Sequence, residues 1–164
     1  MSPTVLARRL GSRQEQLYAG EAETISDLGL RWQHISGVRA YLGRLVESDW
    51  FAERWPHFLR CTAERRGSGS VWSTGQRLDE GGPGGAATEG VVLLSDGGLR
   101  QPVVLHELAH LLLPPDAGHG TDFAETLLTL VRHEMGFFAF AALYHGLRRR
   151  DGFQDIREGI GDRP

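Results

Sequence analysis

Gln101-Pro102-Val103-Val104-Leu105-His106-Glu107-Leu108-Ala109-His110-Leu111-Leu112-Leu113-Pro114-Pro115 contains the signals for both ends of a helix, with a reactive pattern between them. Pro102 stands where a first helical residue tolerates a missing N–H. Pro114 and Pro115 cannot continue a helix, so the spacing predicts one from Gln101 to Leu113. On a wheel of about 100° per residue, Leu105, Leu108, Ala109 and Leu112 form the buried side, and His106 and His110 share the neighbouring edge, where they can line a cleft. Two imidazoles one turn apart with a carboxylate beside them make the HExxH arrangement, which holds a zinc ion and its general base. A core helix with two hydrogen-bonded histidines has no need of Glu107.

Catalytic zinc takes three protein ligands and leaves a position for water, whereas structural zinc closes all four with Cys or His. The favoured third ligand is His119. Between His110 and His119 lie the Pro-Pro stop, Asp116 and Gly118, a composition that turns a chain back on the helix it has just left. His119-Gly120 then precedes a second helical pattern beginning near Thr121. Glu125 and Glu134 compete for the role. With Phe123 as the zero of the second helix, Leu127, Leu130, Glu134, Phe138 and Ala141 share its apolar stripe and Glu125 faces the opposite, solvated side. Glu134 lies about 20 Å of helix rise beyond His119. Its plainer role is a partly buried carboxylate paired with an Arg or with His145.

The string Val104-Leu105-His106-Glu107-Leu108-Ala109-His110, followed by His119-Gly120-Thr121-Asp122-Phe123, resembles the HExxH…HGxxF signature of the SprT-like and WLM-like zinc metallopeptidases. The continuation through Leu127, Leu128, Leu130, Val131 and Met135-Gly136 is more similar still to an actinobacterial family of metallohydrolases without an assigned substrate. The resemblance covers Ser70 to Gly136. It implies a zincin-like minimal metallopeptidase domain, zinc held by His106, His110 and His119, and Glu107 as catalytic acid/base. SprT-like proteins commonly add a Cys-rich zinc ribbon for nucleic-acid targeting, which this sequence lacks, so their DNA-linked roles are not carried over.

The 164 residues, 40% of them apolar, suit one α+β domain, with 1–12 and 151–164 expected to be flexible. All 18 basic residues are Arg, and the absence of Lys and Asn, whose codons are A-rich, implies a high-GC genome. A formal charge of -3 argues against a general nucleic-acid binder, and the clusters Arg8, Arg9, Arg13 and Arg148 to Arg150 read as solvated faces. Cys61 is alone, so no intramolecular disulfide forms and no CxxC competes for metal. With no signal-peptide core and no run long enough to span a bilayer, the expectation is a cytoplasmic protein without a membrane partner.

Along the chain, Ile35, Val38, Leu42, Leu45 and Val46 mark an amphipathic N-terminal helix, followed by an aromatic segment with Trp50, Phe51 and Trp55. Phe58 to Ala63, Ser70 to Ser73 and Gly90 to Leu94 read as strands of a small sheet of three or four strands packed on the HExxH helix. The Gly81-Gly82-Pro83-Gly84-Gly85 segment has neither the phosphate-loop pattern nor a Lys, and reads as a loop near the cleft. A long C-terminal helix is expected to pack Phe137, Phe138, Phe140 and Leu143 on the core, although apolar residues nearly all round Met135 to Leu143 also suit a partner surface.

The ligand set suggests a mechanism. Three neutral imidazoles leave zinc its full charge, which lowers the pKa of a bound water and polarises a carbonyl, and Glu107 takes the water proton and passes it to the leaving amine. An edge strand at Val91 to Leu94 can hold an extended peptide, so a peptide or protein is the default substrate. Tyr41, His57, Trp72 and Arg100 are candidate oxyanion stabilisers, each with a structural alternative. Two other functions stay open: a zinc-stabilised binding or regulatory module, and a phage- or toxin-associated protease specific for one partner.

Overall fold

The computed structural model describes residues 3–65, 76–77 and 88–157. The expected strand Ser70 to Ser73, Trp72 and the Gly81 to Gly85 segment lie outside the described residues. The fold is mixed α+β, with six α-helices and a small sheet among the described residues. None of these helices is long and apolar enough to cross a membrane. The chain forms two compact units, Leu30–Leu112, and Met1–Gly29 with Leu113–Pro164.

In the unit Leu30–Leu112, helix α2 (Ile35–Val46) buries Val38, Leu42, Leu45 and Val46 of the stripe expected from the sequence, together with Tyr41, while Ile35 is half-buried. Ser48 then caps the short helix α3 (Asp49–Arg54) by accepting a hydrogen bond from the Phe51 N–H at 3.3 Å. Strand β1 (Phe58–Arg65) pairs in parallel with β3 (Thr88–Leu94), Cys61 opposite Gly90 and Arg65 opposite Leu94. A two-residue strand β2 (Gln76–Arg77) pairs antiparallel with β3 at Val91 and Gly90. The sheet order is β1-β3-β2. The segment expected to offer a free edge is therefore the middle strand. A parallel partner is set by long-range pairing, to which the local β pattern of Val91 to Leu94 is blind. A 3-10 turn at Asp96–Gly98 leads into helix α4 (Gln101–Leu112).

The other unit contains α1 (Pro3–Thr24), α5 (Thr121–Met135) and α6 (Phe137–Arg148). The sequence pattern does not mark α1 as a helix: of its buried positions from Arg13 onward, Leu17, Gly20 and Glu21, only Leu17 is large and apolar. At the end of α6, Arg150 ion-pairs with Glu23 and reaches Gln16 Oε1, both on α1. Of the basic cluster read as a solvated face, at least this member is engaged.

The expected single C-terminal helix is two helices. They break at Gly136, whose φ of 87° and ψ of 177° belong to a region essentially reserved for glycine. Because α6 restarts there on a new axis, the Phe-rich run divides. Phe140 and Leu143 are buried, while Phe137 and Phe138 are 63% and 88% exposed instead of packing on the core.

Candidate metal centre

Helix α4 is positioned from its first turn. The Trp32 N–H donates to the Leu99 carbonyl at 2.9 Å, the Gln101 N–H donates to the Leu30 carbonyl at 2.9 Å, and Arg31 and Arg100 form an antiparallel bridge. The buried Gln101 side chain accepts from the Leu30 N–H at 3.0 Å and donates to the Tyr41 hydroxyl at 3.0 Å. These bonds join the helix to the chain that enters α2, and they fix which way its faces point.

Leu105, Leu108 and Ala109 are fully buried as the wheel required, whereas Leu112 is half-buried. Burial extends further round α4 than expected. His106 and Glu107 are each only 4% exposed, and His110 is half-buried. The two imidazoles stand one turn apart with ring centroids at 5.0 Å and planes at 69°.

After α4, Pro114 and Pro115 end the helix, the Ala117 N–H donates to the Pro114 carbonyl at 3.0 Å, and Gly118 takes a φ of 60°. Glycine takes that left-handed conformation without a Cβ clash. His119 follows, and Gly120 is the N-cap of α5, its carbonyl accepting from the Ala124 N–H at 3.1 Å. The His119 ring meets Phe123 at 5.0 Å between centroids and Tyr18 of α1 at 5.3 Å.

His106, His110 and His119 could hold a metal ion. Each offers one ring nitrogen, and the three nitrogens lie within 4.8 Å of one another. Tetrahedral coordination at about 2.0–2.1 Å would place ligand nitrogens about 3.3 Å apart. An all-imidazole set suits a divalent transition metal such as zinc, copper, iron or nickel, and is a poor match for magnesium or calcium, which take oxygen.

The competing carboxylates have other engagements. Glu125, half-buried where full solvation was expected, accepts from the Arg157 N–H at 2.9 Å. Glu134 is partly buried and sits 3.5 Å from the His133 Nε2, a partner that the sequence reading did not name. Of the candidate oxyanion stabilisers, Tyr41 is buried and bonded to Gln101, His57 is exposed, and Arg100 is half-buried in its bridge with Arg31. Tyr18, which does stand beside the candidate ligand His119, is not picked out by the sequence. It lies far upstream of the motif, and no local pattern links it to His119. Comparison of the chain with protein-family models, with curated proteins and with solved structures finds no match.

Proposed function

We propose that the protein is a zinc-dependent metallohydrolase of the zincin-like kind, acting as a peptidase. The observation that carries this reading is the cluster of three imidazole nitrogens, with Glu107 adjacent in sequence to one of the ligands and buried beside it on α4. Among the metals that the donor set suits, zinc is favoured by the HExxH spacing and by the resemblance to SprT-like and WLM-like metallopeptidases.

His106, His110 and His119 would hold the ion as neutral ligands. When bound, zinc supplies Lewis acidity, polarising a carbonyl and lowering the pKa of water toward neutrality. Glu107 serves as the base that accepts a proton from the attacking water and returns it to the departing nitrogen. A structural zinc site gains nothing from such a base, which favours catalysis over a binding role. Because β3 is the middle strand, main-chain pairing at Val91 to Leu94 gives this reading no support, and the peptide assignment rests on the motif's resemblance to zincins. We place the activity in the cytoplasm, a setting with which the free thiol of Cys61 is compatible.

The test is metal analysis of the purified protein, together with identification of cleavage products in a lysate for wild type and Glu107→Gln. Stoichiometric zinc in both, with products from wild type alone, supports the proposal. Equal cleavage by Glu107→Gln removes the base from its role. Zinc in both forms with no products from either leaves a zinc-stabilised binding module, and a single cleaved protein indicates a protease dedicated to one partner.

A further inference from the structure

We propose that Tyr18 is a positioning residue of the metal centre, holding the His119 imidazole in a ligating orientation as one side of an aromatic clamp whose other side is Phe123. This assignment rests on the metal reading above. His119 has one aromatic neighbour four residues on, Phe123 in the first turn of α5, edge-on at 5.0 Å with planes at 63°. The second comes from a distant part of the chain: Tyr18 of α1, at 5.3 Å and tilted by 56°.

Helix α1 approaches the ligand turn at a second point. The Arg13 Nη1 lies 3.8 Å from where a Cβ on Gly120 would stand. Tyr18 and Arg13 thus both lie against the short segment that carries the ligand. The Tyr18 ring makes the aromatic contact, while its hydroxyl lies 3.5 Å from the Gln14 Nε2, one turn earlier on α1. Tyr18 is 36% exposed, too open for a residue whose main contribution is to the core.

Metal-ligating histidines need a fixed ring orientation, which is most often set by a hydrogen bond from the second ring nitrogen. Two rings packed on one imidazole restrict the same rotation by contact. Aromatic pairs with centroids about 4.5–7 Å apart attract one another in tilted and edge-to-face geometries, so both contacts favour a defined ring angle over free rotation. The clamp consequently joins α1 to zinc affinity, although α1 supplies no ligand.

The experiment compares wild type, Tyr18→Ala and Tyr18→Phe, and repeats Tyr18→Ala in a His119→Ala background. Zinc affinity is measured by competition with a chromophoric chelator, and the His119 ring protons are followed by NMR in the metal-free protein. Tyr18→Ala is expected to weaken zinc binding about tenfold, the lower end of what losing a supporting contact does to a metal site. Tyr18→Phe retains the ring and should bind within about twofold of wild type. The His119 ring resonances should move in Tyr18→Ala and stay in Tyr18→Phe. In the His119→Ala background, removing Tyr18 should have no further effect on the residual affinity, because it acts through that ligand.

Unchanged zinc affinity in Tyr18→Ala overturns the clamp and leaves the three-histidine site intact. An equal loss in Tyr18→Phe overturns it as well, since the hydroxyl would then be the active part. A wild type that takes up no zinc overturns the metal reading itself and the clamp with it, and the NMR contact between the rings then counts as packing only.

Discussion

Replacing Gln101 with Leu should test whether the start of α4, and with it the presentation of the two α4 histidines, is held by polar bonds or by packing alone. Leu keeps helix propensity and an apolar stem of similar reach, but removes the side-chain hydrogen bonds to Leu30 and Tyr41. The two partners left behind are not equivalent. The Tyr41 hydroxyl is buried and loses a donor at 3.0 Å, and removing one partner of a buried polar group costs about 1–3 kcal/mol. The Leu30 N–H belongs to an exposed residue and can turn to water, so its loss is nearer the net value of one bond, about 0.5–1.5 kcal/mol. Together these predict a loss of about 2–4 kcal/mol. For a chain of this size, at about 2–4 °C per kcal/mol, the melting temperature should fall by about 5–15 °C. Urea unfolding of Gln101→Leu, Tyr41→Phe and the double variant measures it. Deleting both polar partners also removes the hydroxyl that Gln101→Leu deprives of its 3.0 Å donor, so the double variant should be more stable than the sum of the singles by about 1 kcal/mol. A Gln101→Leu loss below about 0.5 kcal/mol, or strict additivity across the cycle, would refute the reasoning.

His119→Ala should drop zinc content well below one ion per chain, while Glu125→Ala and Glu134→Ala retain it, and metal analysis of the three variants decides among the ligands. Chelation should lower the melting temperature with little change in far-UV circular dichroism, because about hundredfold excess of free zinc over Kd adds about 2.7 kcal/mol to the native state alone. Burial pushes the Cys61 thiol up from 9.0 to about 12, so the folded chain keeps a proton that the unfolded chain releases between those values. Its contribution to stability is fully present below the unfolded value and is lost as pH rises toward the folded one. Cys61→Ala should therefore flatten the alkaline limb of a pH–stability curve, and iodoacetamide at about pH 8 should label native Cys61 only after unfolding. Gly136→Ala places a Cβ at a φ of 87° and should destabilise by about 1–3 kcal/mol in urea melts.

The sequence by itself determined what depends on neighbours within a few turns. The helix read from Gln101 to Leu113 is α4 (Gln101–Leu112), the pattern beginning near Thr121 is α5, and the stripe from Ile35 to Val46 is α2. Proline positions and a period of about 3.6 residues act locally, so they are visible in a one-dimensional string. The same holds for the two α4 imidazoles, which the helix itself places one turn apart.

Only the tertiary structure decided what depends on residues far apart in sequence. That β3 is a middle strand with β1 parallel to it is a pairing across the whole β1–β3 connection, and the alternation within one strand does not name its partner. Gly136 reads equally well inside a helix or at its end until the backbone adopts a positive φ, and that choice exposes Phe137 and Phe138. Tyr18 reaches His119 because α1 packs where it does, and the contact leaves no trace in the composition or periodicity of either segment. The candidate ligands were legible because side-chain type and helical spacing are local. The ring that packs on His119 from α1 was not, because long-range packing selects it.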